Sequence, residues 1–327
     1  FQFDPGLFGE TFVGVTTPNL TLIGAHRDSV IVGPEAQDWD EETFTPQGVS
    51  VPGDTPVGLT IQGMTIRNCR EGLRLHGPSV VRDMTFFENG SHVVSSIGPV
   101  TIEDCEMIRG GQRSLGVFYV RDTENPLYAR RIRTDTLSFG ILVSDGATVI
   151  VEDSEFSAGG AYGSAQFGAR LEVVNCVGTG SLNAGFGAET GSSLFVTDSD
   201  VSVRSQAIIL EDQSTAYVLR STLRTQFDVT VIASGESIPR VNWSNLLAGP
   251  QRFAVIIDID EQPGDITTLD FRDNWWGTAD PDSIAALIRD SEQDPRILYR
   301  VDFSGHKEDI VPTKSKSIGS LKSRFRN

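Results

Sequence analysis

Four histidines, three cysteines and a recurring set of aspartates are the residues of this chain best equipped for chemistry. His26, His76, His92 and His306 do not have the close pairing that a zinc site requires. Cys105 and Cys176 hold the same position in a repeat, three units apart. At about 4.8 Å per stacked strand, about 14 Å separates them, beyond the roughly 7 Å that a disulfide bridges. With Cys69 elsewhere in its unit, all three are expected as buried free thiols. Asp83 and Asp104 recur one unit apart and could face a shared Ca²⁺. Neither EF-hand nor calcium-binding nonapeptide spacing accompanies them, so solvated turn residues are expected, with no metal and no other cofactor. Arg74, His76 and Trp39 offer a guanidinium, an imidazole and an indole, the makings of a small sugar site beside an acidic insertion.

What must position these groups is a chain of 327 residues with 27 basic and 44 acidic side chains, a net charge of −17. That balance argues against nucleic-acid binding through phosphates. No run of 18 apolar residues offers a membrane-spanning helix. Thirty-three glycines and 15 prolines imply many turns. Charge is segregated: the four lysines are Lys307, Lys314, Lys316 and Lys322. Residues 304–327 therefore read as a basic tail on an acidic body. It is either solvated or a docking peptide for an acidic surface, its own or a neighbour's, through Lys314, Lys316, Lys322, Arg324 and Arg326. Phe1 opens a strand-like segment running into Pro5-Gly6, as though something upstream precedes it.

A repeat organises the rest. An alternating apolar pattern followed by a turn-former begins at Leu59, Ser79, Val100, Leu127, Val149, Leu171, Leu194, Ala216, Pro239 and Leu269. Its third position is apolar in all ten copies, from Ile61 and Val81 to Val241 and Phe271. Its fifth is Gly63, Asp83, Asp104, Arg131, Asp153, Asn175, Asp198, Arg220, Trp243 and Asp273. Glycine, asparagine and aspartate tolerate left-handed backbone, so a one-residue corner is predicted there. The sixth position carries Met64, Met84, Cys105, Ile132, Ser154, Cys176, Ser199, Ser221, Ser244 and Asn274, mostly small side chains or ones that stack on their own kind.

A third strand closes each unit, often after glycine or alanine. With Leu73, Val117, Ile141, Phe186, Ile208, Val229 and Val255 pointing inward, their successors Arg74, Phe118, Leu142, Gly187, Ile209, Thr230 and Ile256 point out. That outer face is apolar for a sugar groove: it reads as a contact surface, unless a loop or the C-terminal tail covers it or the register is off by one. Three short strands in about 22 residues leave no room for helices and describe one coil of a parallel β-solenoid.

These residues resemble the right-handed parallel β-helix proteins of the pectate-lyase-like superfamily. Asn19-Leu20-Thr21-Leu22-Ile23-Gly24-Ala25-His26-Arg27-Asp28 looks like their early coil. Asn274-Trp275-Trp276-Gly277-Thr278 followed by Asp280-Pro281 looks like a closing coil. The resemblance spans residues 1–303 and implies the fold more than an activity. Lyases of this kind use a basic residue as base, and hydrolases use paired carboxylates. The Asn-Thr-Asp, Asp-Asp and Gly-His-Gly elements of polygalacturonases are absent, as is the Arg-x-Pro-x-x-Arg stretch of pectate lyases. Gln206-Ala207-Ile208-Ile209-Leu210 matches a pectin-methylesterase element without its companion motifs.

The expectation is thus an all-β, single-stranded right-handed parallel β-helix of about 11 coils over residues 1–303. It carries an insertion at 34–57, a capping helix at about 281–290 and a last strand near 297–303. For function, the expectation is a non-catalytic binding or assembly module outside the cytoplasm. It would meet a protein partner or itself through the apolar face, Phe118, Leu142, Ile209 and Ile256, and the basic tail. The alternative is a carbohydrate-active lyase or hydrolase that meets a polysaccharide.

Overall fold

The computed structural model describes residues 2–3, 6–8, 13–35, 47–51, 58–110, 118–121, 125–136, 140–181, 183–250, 253–258 and 266–313. Trp39 and most of the 34–57 insertion, the acidic loop 259–265 and all five tail residues from Lys314 to Arg326 lie outside them. The chain divides into two compact units, Phe1–Gly160 and Ala161–Asn327.

Each unit is a parallel β-helix. In the first, three sheets of seven, seven and six strands are formed by successive coils among the described residues. Registers follow the repeat: Val81 lies between Ile61 and Ile102, and Ala129 between Ile102 and Val151. In the second unit, Val173, Val196, Val218 and Val241 form the corresponding inward row. Alternation turns every second residue into the core, which is why a strict period-two pattern recurs once per coil. The tenth copy departs from the stack. Its strand Thr267–Asp270 pairs with Tyr299–Asp302 in a small sheet of its own.

The corner prediction holds at all ten positions, from Gly63 to Asp273, with φ between 47° and 69°. Left-handed backbone costs a non-glycine residue roughly 1–2 kcal/mol. At two of these positions an arginine offsets that cost by pairing with the corner aspartate of the preceding coil. Arg131 donates from both Nε and Nη2 to Asp104, at 2.7 and 2.8 Å. Arg220 does the same to Asp198, at 2.7 and 2.9 Å.

Just past the corner, serines climb the core of the second unit. The Ser199, Ser221 and Ser244 hydroxyls accept from the amides of Cys176, Ser199 and Ser221, each at 3.1 Å. Each hydroxyl donates to the carbonyl two residues before it, at 2.8, 3.0 and 2.9 Å. Asn274 ends the ladder by accepting from the Ser244 amide at 2.8 Å. Buried polar groups are tolerated here because every member has a partner. The three cysteines are free and buried.

The capping helix is shorter than expected. It spans Pro281–Ala285, with Asp280 as N-cap accepting from the Ser283 amide at 3.1 Å. Past it, Ile288–Arg289 joins the third sheet beside Val255–Ile257, so strand pairing overrides the helical pattern of 286–290. Residues 304–313, expected as the start of the tail, pack on the second unit. The Lys307 amide donates to the Asn274 carbonyl at 2.9 Å, and its ammonium lies 4.0 Å from the Trp243 ring centre.

Candidate functional site

The outer face of the third sheet in the first unit gathers the groups best suited to chemistry. Its strands include Glu71–His76, Ser91–Ile97, Phe118–Arg121 and Ile141–Ser144. Leu73, Val93, Phe118 and Ile141 form one inward row. Arg74, Val94, Tyr119 and Leu142 form the outward row beside it. Phe118 is therefore a core residue, fully buried, and not part of an outer stripe. The error is a one-residue register slip, which moves a side chain to the opposite face. The Gly116 and Val117 taken to open that strand lie outside the described residues. A second slip affects Thr230 in the other unit: Val231 pairs with Ile208, Ile232 takes the outward place, and Thr230 is buried.

Arg74 donates from Nε and Nη2 to the two Glu71 oxygens at 2.6 and 2.7 Å. Glu71 is buried, so this pair fixes the guanidinium plane while leaving it partly exposed. Two residues on, His76 follows on the same face. Its pKa is lowered, first by burial and then by the positive fields of Arg74 and Arg121, with Glu71 opposing. It is therefore a neutral imidazole at neutral pH. Tyr119 is half-buried, and the Arg121 guanidinium lies 5.8 Å from its ring centre. Arg74 and Tyr119 are two rungs apart, about 10 Å at the backbone. Two guanidiniums, a neutral imidazole and a phenol thus share one face of an otherwise acidic body. The sequence pointed to Arg74 and His76. It missed Glu71, whose pairing shows only in three dimensions, and Tyr119 and Arg121, hidden by the slip at Phe118.

A second cluster lies on the third sheet of the other unit. Leaving Gly187, Ile209, Ile232 and Ile256 on the half-buried outward row, the ladder continues through Glu189, Glu211, Ser234 and Asp258. Glu189 accepts from Ser164 Oγ and Gln166 Nε2, both at 3.2 Å. Glu211, one rung away, has its pKa raised by burial and by the charges of Glu189 and Asp212. Thr190, Gly191, Asp212, Gln213, Gly235 and Glu236, all with positive φ, line a hollow of about 460 Å³ beside this pair. Leu142, Ile209 and Ile256 do point outward, each half-buried.

The corner aspartates serve other partners. Asp104 is held below the usual carboxylate range by its hydrogen bonds to Arg131, and Asp83 lies 3.8 Å from Arg27. Among the described residues no three His, Cys, Asp or Glu side chains converge as metal ligands. Among them, too, no helix is long and apolar enough to cross a membrane.

No protein-family model matches the chain, and no curated protein matches it. Solved structures do. The A-module of the mannuronan C-5 epimerase AlgE6 from Azotobacter vinelandii is 11% identical, covering 94% of this chain and 90% of its own, with a TM-score of 0.49. What the chain shares with them is the fold, a right-handed parallel β-helix. The tailspike gp49 of Acinetobacter baumannii bacteriophage Fri1, a capsular polysaccharide depolymerase, covers 99% of the chain and 59% of its own, at 12% identity and a TM-score of 0.41. The catalytic domain of a GH87 α-1,3-glucanase covers 94% and 64%, at 10% identity and a TM-score of 0.39. Each activity is that protein's own, and the likeness to this chain is one of fold. The finding corrects the functional expectation all the same. The solved structures named here are of carbohydrate-acting proteins; the expected non-catalytic assembly module is withdrawn, and its alternative is taken up below as a proposal.

Proposed function

We propose that this chain is a carbohydrate-active enzyme of the lyase type, acting outside the cytoplasm on a polysaccharide that contains uronate residues. The observation that carries this reading is the Arg74–His76–Tyr119–Arg121 face. A uronate C5 proton is acidic only when the adjacent carboxylate is neutralised, because the charge left by its removal spreads onto that carboxylate. Arg74, oriented by Glu71, and Arg121 supply fixed positive charge for this purpose. His76 is uncharged, as a general base must be before it takes a proton. Tyr119 is placed on the same face to deliver one. If the C5 carbanion expels the C4 oxygen, a C4–C5 double bond forms and the chain is cleaved. If instead a proton returns on the opposite face, the sugar is epimerised.

The test is conversion of a polyuronate by the full chain and by Tyr119→Phe and His76→Gln, with circular dichroism as the folding control. Both variants are expected to fold and to lose activity by about 10²-fold or more, the scale of a general acid or base. In the unaltered chain, activity should rise with pH through the lowered pKa of His76, because the base works unprotonated. Full activity in both variants would overturn the assignment.

A second reading rests on the Glu189–Glu211 pair. Two carboxylates on adjacent rungs, Glu189 accepting from Ser164 and Gln166 and Glu211 pushed toward the acid, match the division of labour in a glycoside hydrolase. It predicts new reducing ends without unsaturated products, and their loss in Glu211→Gln.

A further inference from the structure

In the second unit, one outward row of the second sheet is largely buried where solvent should reach it. Val177, Asp200, Thr222 and Asn245 form one outward row on four successive coils. Yet Val177 is 3%, Thr222 7% and Asn245 2% exposed. In the first unit, Thr65, Thr85, Glu106 and Arg133 of the corresponding row are open to half-open, and the next member, Glu155, is 6% exposed.

The chain itself leads there. The Lys307 amide is bonded to Asn274, on the coil after Asn245. Four residues later, Val311 has moved one coil back. Its amide donates to Asn245 Oδ1 at 2.8 Å, and its carbonyl accepts from Asn245 Nδ2 at 3.0 Å. The same Nδ2 donates to Thr222 Oγ1 at 3.0 Å, the next coil along. Three further residues in extended conformation span about 10 Å, or two rungs, which brings the chain to Asp200. Asp200 is half-buried, one of its oxygens has no partner among the described residues, and burial raises its pKa, with Arg224 the nearby opposing charge. Residues 314–327 contain Lys314, Lys316, Lys322, Arg324 and Arg326 and no acidic residue.

We propose that residues 314–327 bind in cis along the outer face of the second sheet of this unit. They continue the path set by Lys307 and Val311, and their first lysines neutralise Asp200. The segment is then a strap docked on its own chain. This inference is independent of the catalytic reading.

Pairing Ser202→Cys, which neighbours Asp200 on the same face, with Ser315→Cys in the full chain tests it. Mild oxidation is expected to give an intramolecular disulfide, read as a linked peptide by mass spectrometry. The native thiols do not compete, since all three are buried. Thr215→Cys with Ser315→Cys, on the first sheet, should link at least tenfold more slowly. In an Asp200→Asn background, or at 1 M salt, linkage of the first pair should slow severalfold. Equal rates for the two pairs, no linkage, or a disulfide joining two chains would overturn the cis strap. Indifference to Asp200→Asn and to salt would overturn the role given to Asp200.

Discussion

His92 makes the first unit sensitive to acid. Its ring is fully buried, 5.8 Å from Phe86 between ring centres. The Asn89 amide fixes its tautomer. Asn89 Oδ1 accepts from the Cys69 amide at 2.9 Å, so Nδ2 must be the group facing His92 Nδ1, at 3.2 Å. Nδ1 therefore accepts, and the buried Nε2 has no partner among the described residues that could stabilise an imidazolium. Burial pushes the pKa from 6.5 down to about 3. Because the folded value lies below the unfolded one, the neutral ring's contribution is complete above pH 6.5 and is lost as pH falls toward 3. Each pH unit in that window costs about 1.4 kcal/mol. At pH 4, well below 6.5, the loss is about 3 kcal/mol, a large share of the roughly 5–15 kcal/mol that holds a domain together. The assay is urea unfolding at pH 7, 5.5 and 4 for the unaltered chain and His92→Gln, whose side-chain oxygen can still accept from Asn89. Carboxylates titrate in both proteins, so the difference in slope isolates the imidazole. The variant should start less stable at pH 7 yet lose about 1.4 kcal/mol less per pH unit. Parallel slopes would refute the account of His92 as a buried, neutral group.

Three other expectations concern the scaffold. Ser221→Ala leaves the Ser199 amide without its acceptor in the core and should cost about 1–3 kcal/mol, read as a lower urea midpoint at unchanged slope. On the outer face of the first sheet, Phe195 and Tyr217 stack at 5.0 Å, flanked by Arg170 over one ring and Arg240 over the other. A double-mutant cycle of Phe195→Leu and Tyr217→Leu should give a coupling of about 0.5–1.5 kcal/mol; additivity would show that the rings only sit side by side. With burial raising Cys69 and Cys105 to about 12, neither should react with a thiol reagent at pH 8 until urea unfolds the chain.

The coil was legible because it is written once per turn. The third repeat position gave the inward row of the first sheet, and the fifth gave the corner, even where Arg131, Arg220 and Trp243 are poor left-handed formers. There the repeat frame overrode local preference. The third sheet was harder. It follows loops of varying length, so its register is set by where a strand resumes and not by the period. A slip of one residue at Phe118 hid Tyr119 and Arg121, and with them half of the candidate site. Glu71 was invisible for a different reason, since a carboxylate next to Gly72 announces nothing until it closes on Arg74. The helix after Asp280 was read correctly at its start, where the N-cap is local. Its end was misread because Ile288 is drawn into a ladder with Val255, a long-range contact.

The central claim is that this chain removes the C5 proton of a uronate. The direct measurement is proton NMR of a panel of polyuronates incubated with the full chain in D₂O. Deuterium should enter C5 of at least one polymer, or unsaturated uronate signals should grow, and both should vanish with His76→Gln. A panel that stays protonated at C5 and uncleaved would contradict the account, and reducing ends without exchange or unsaturation would move the activity to Glu189 and Glu211.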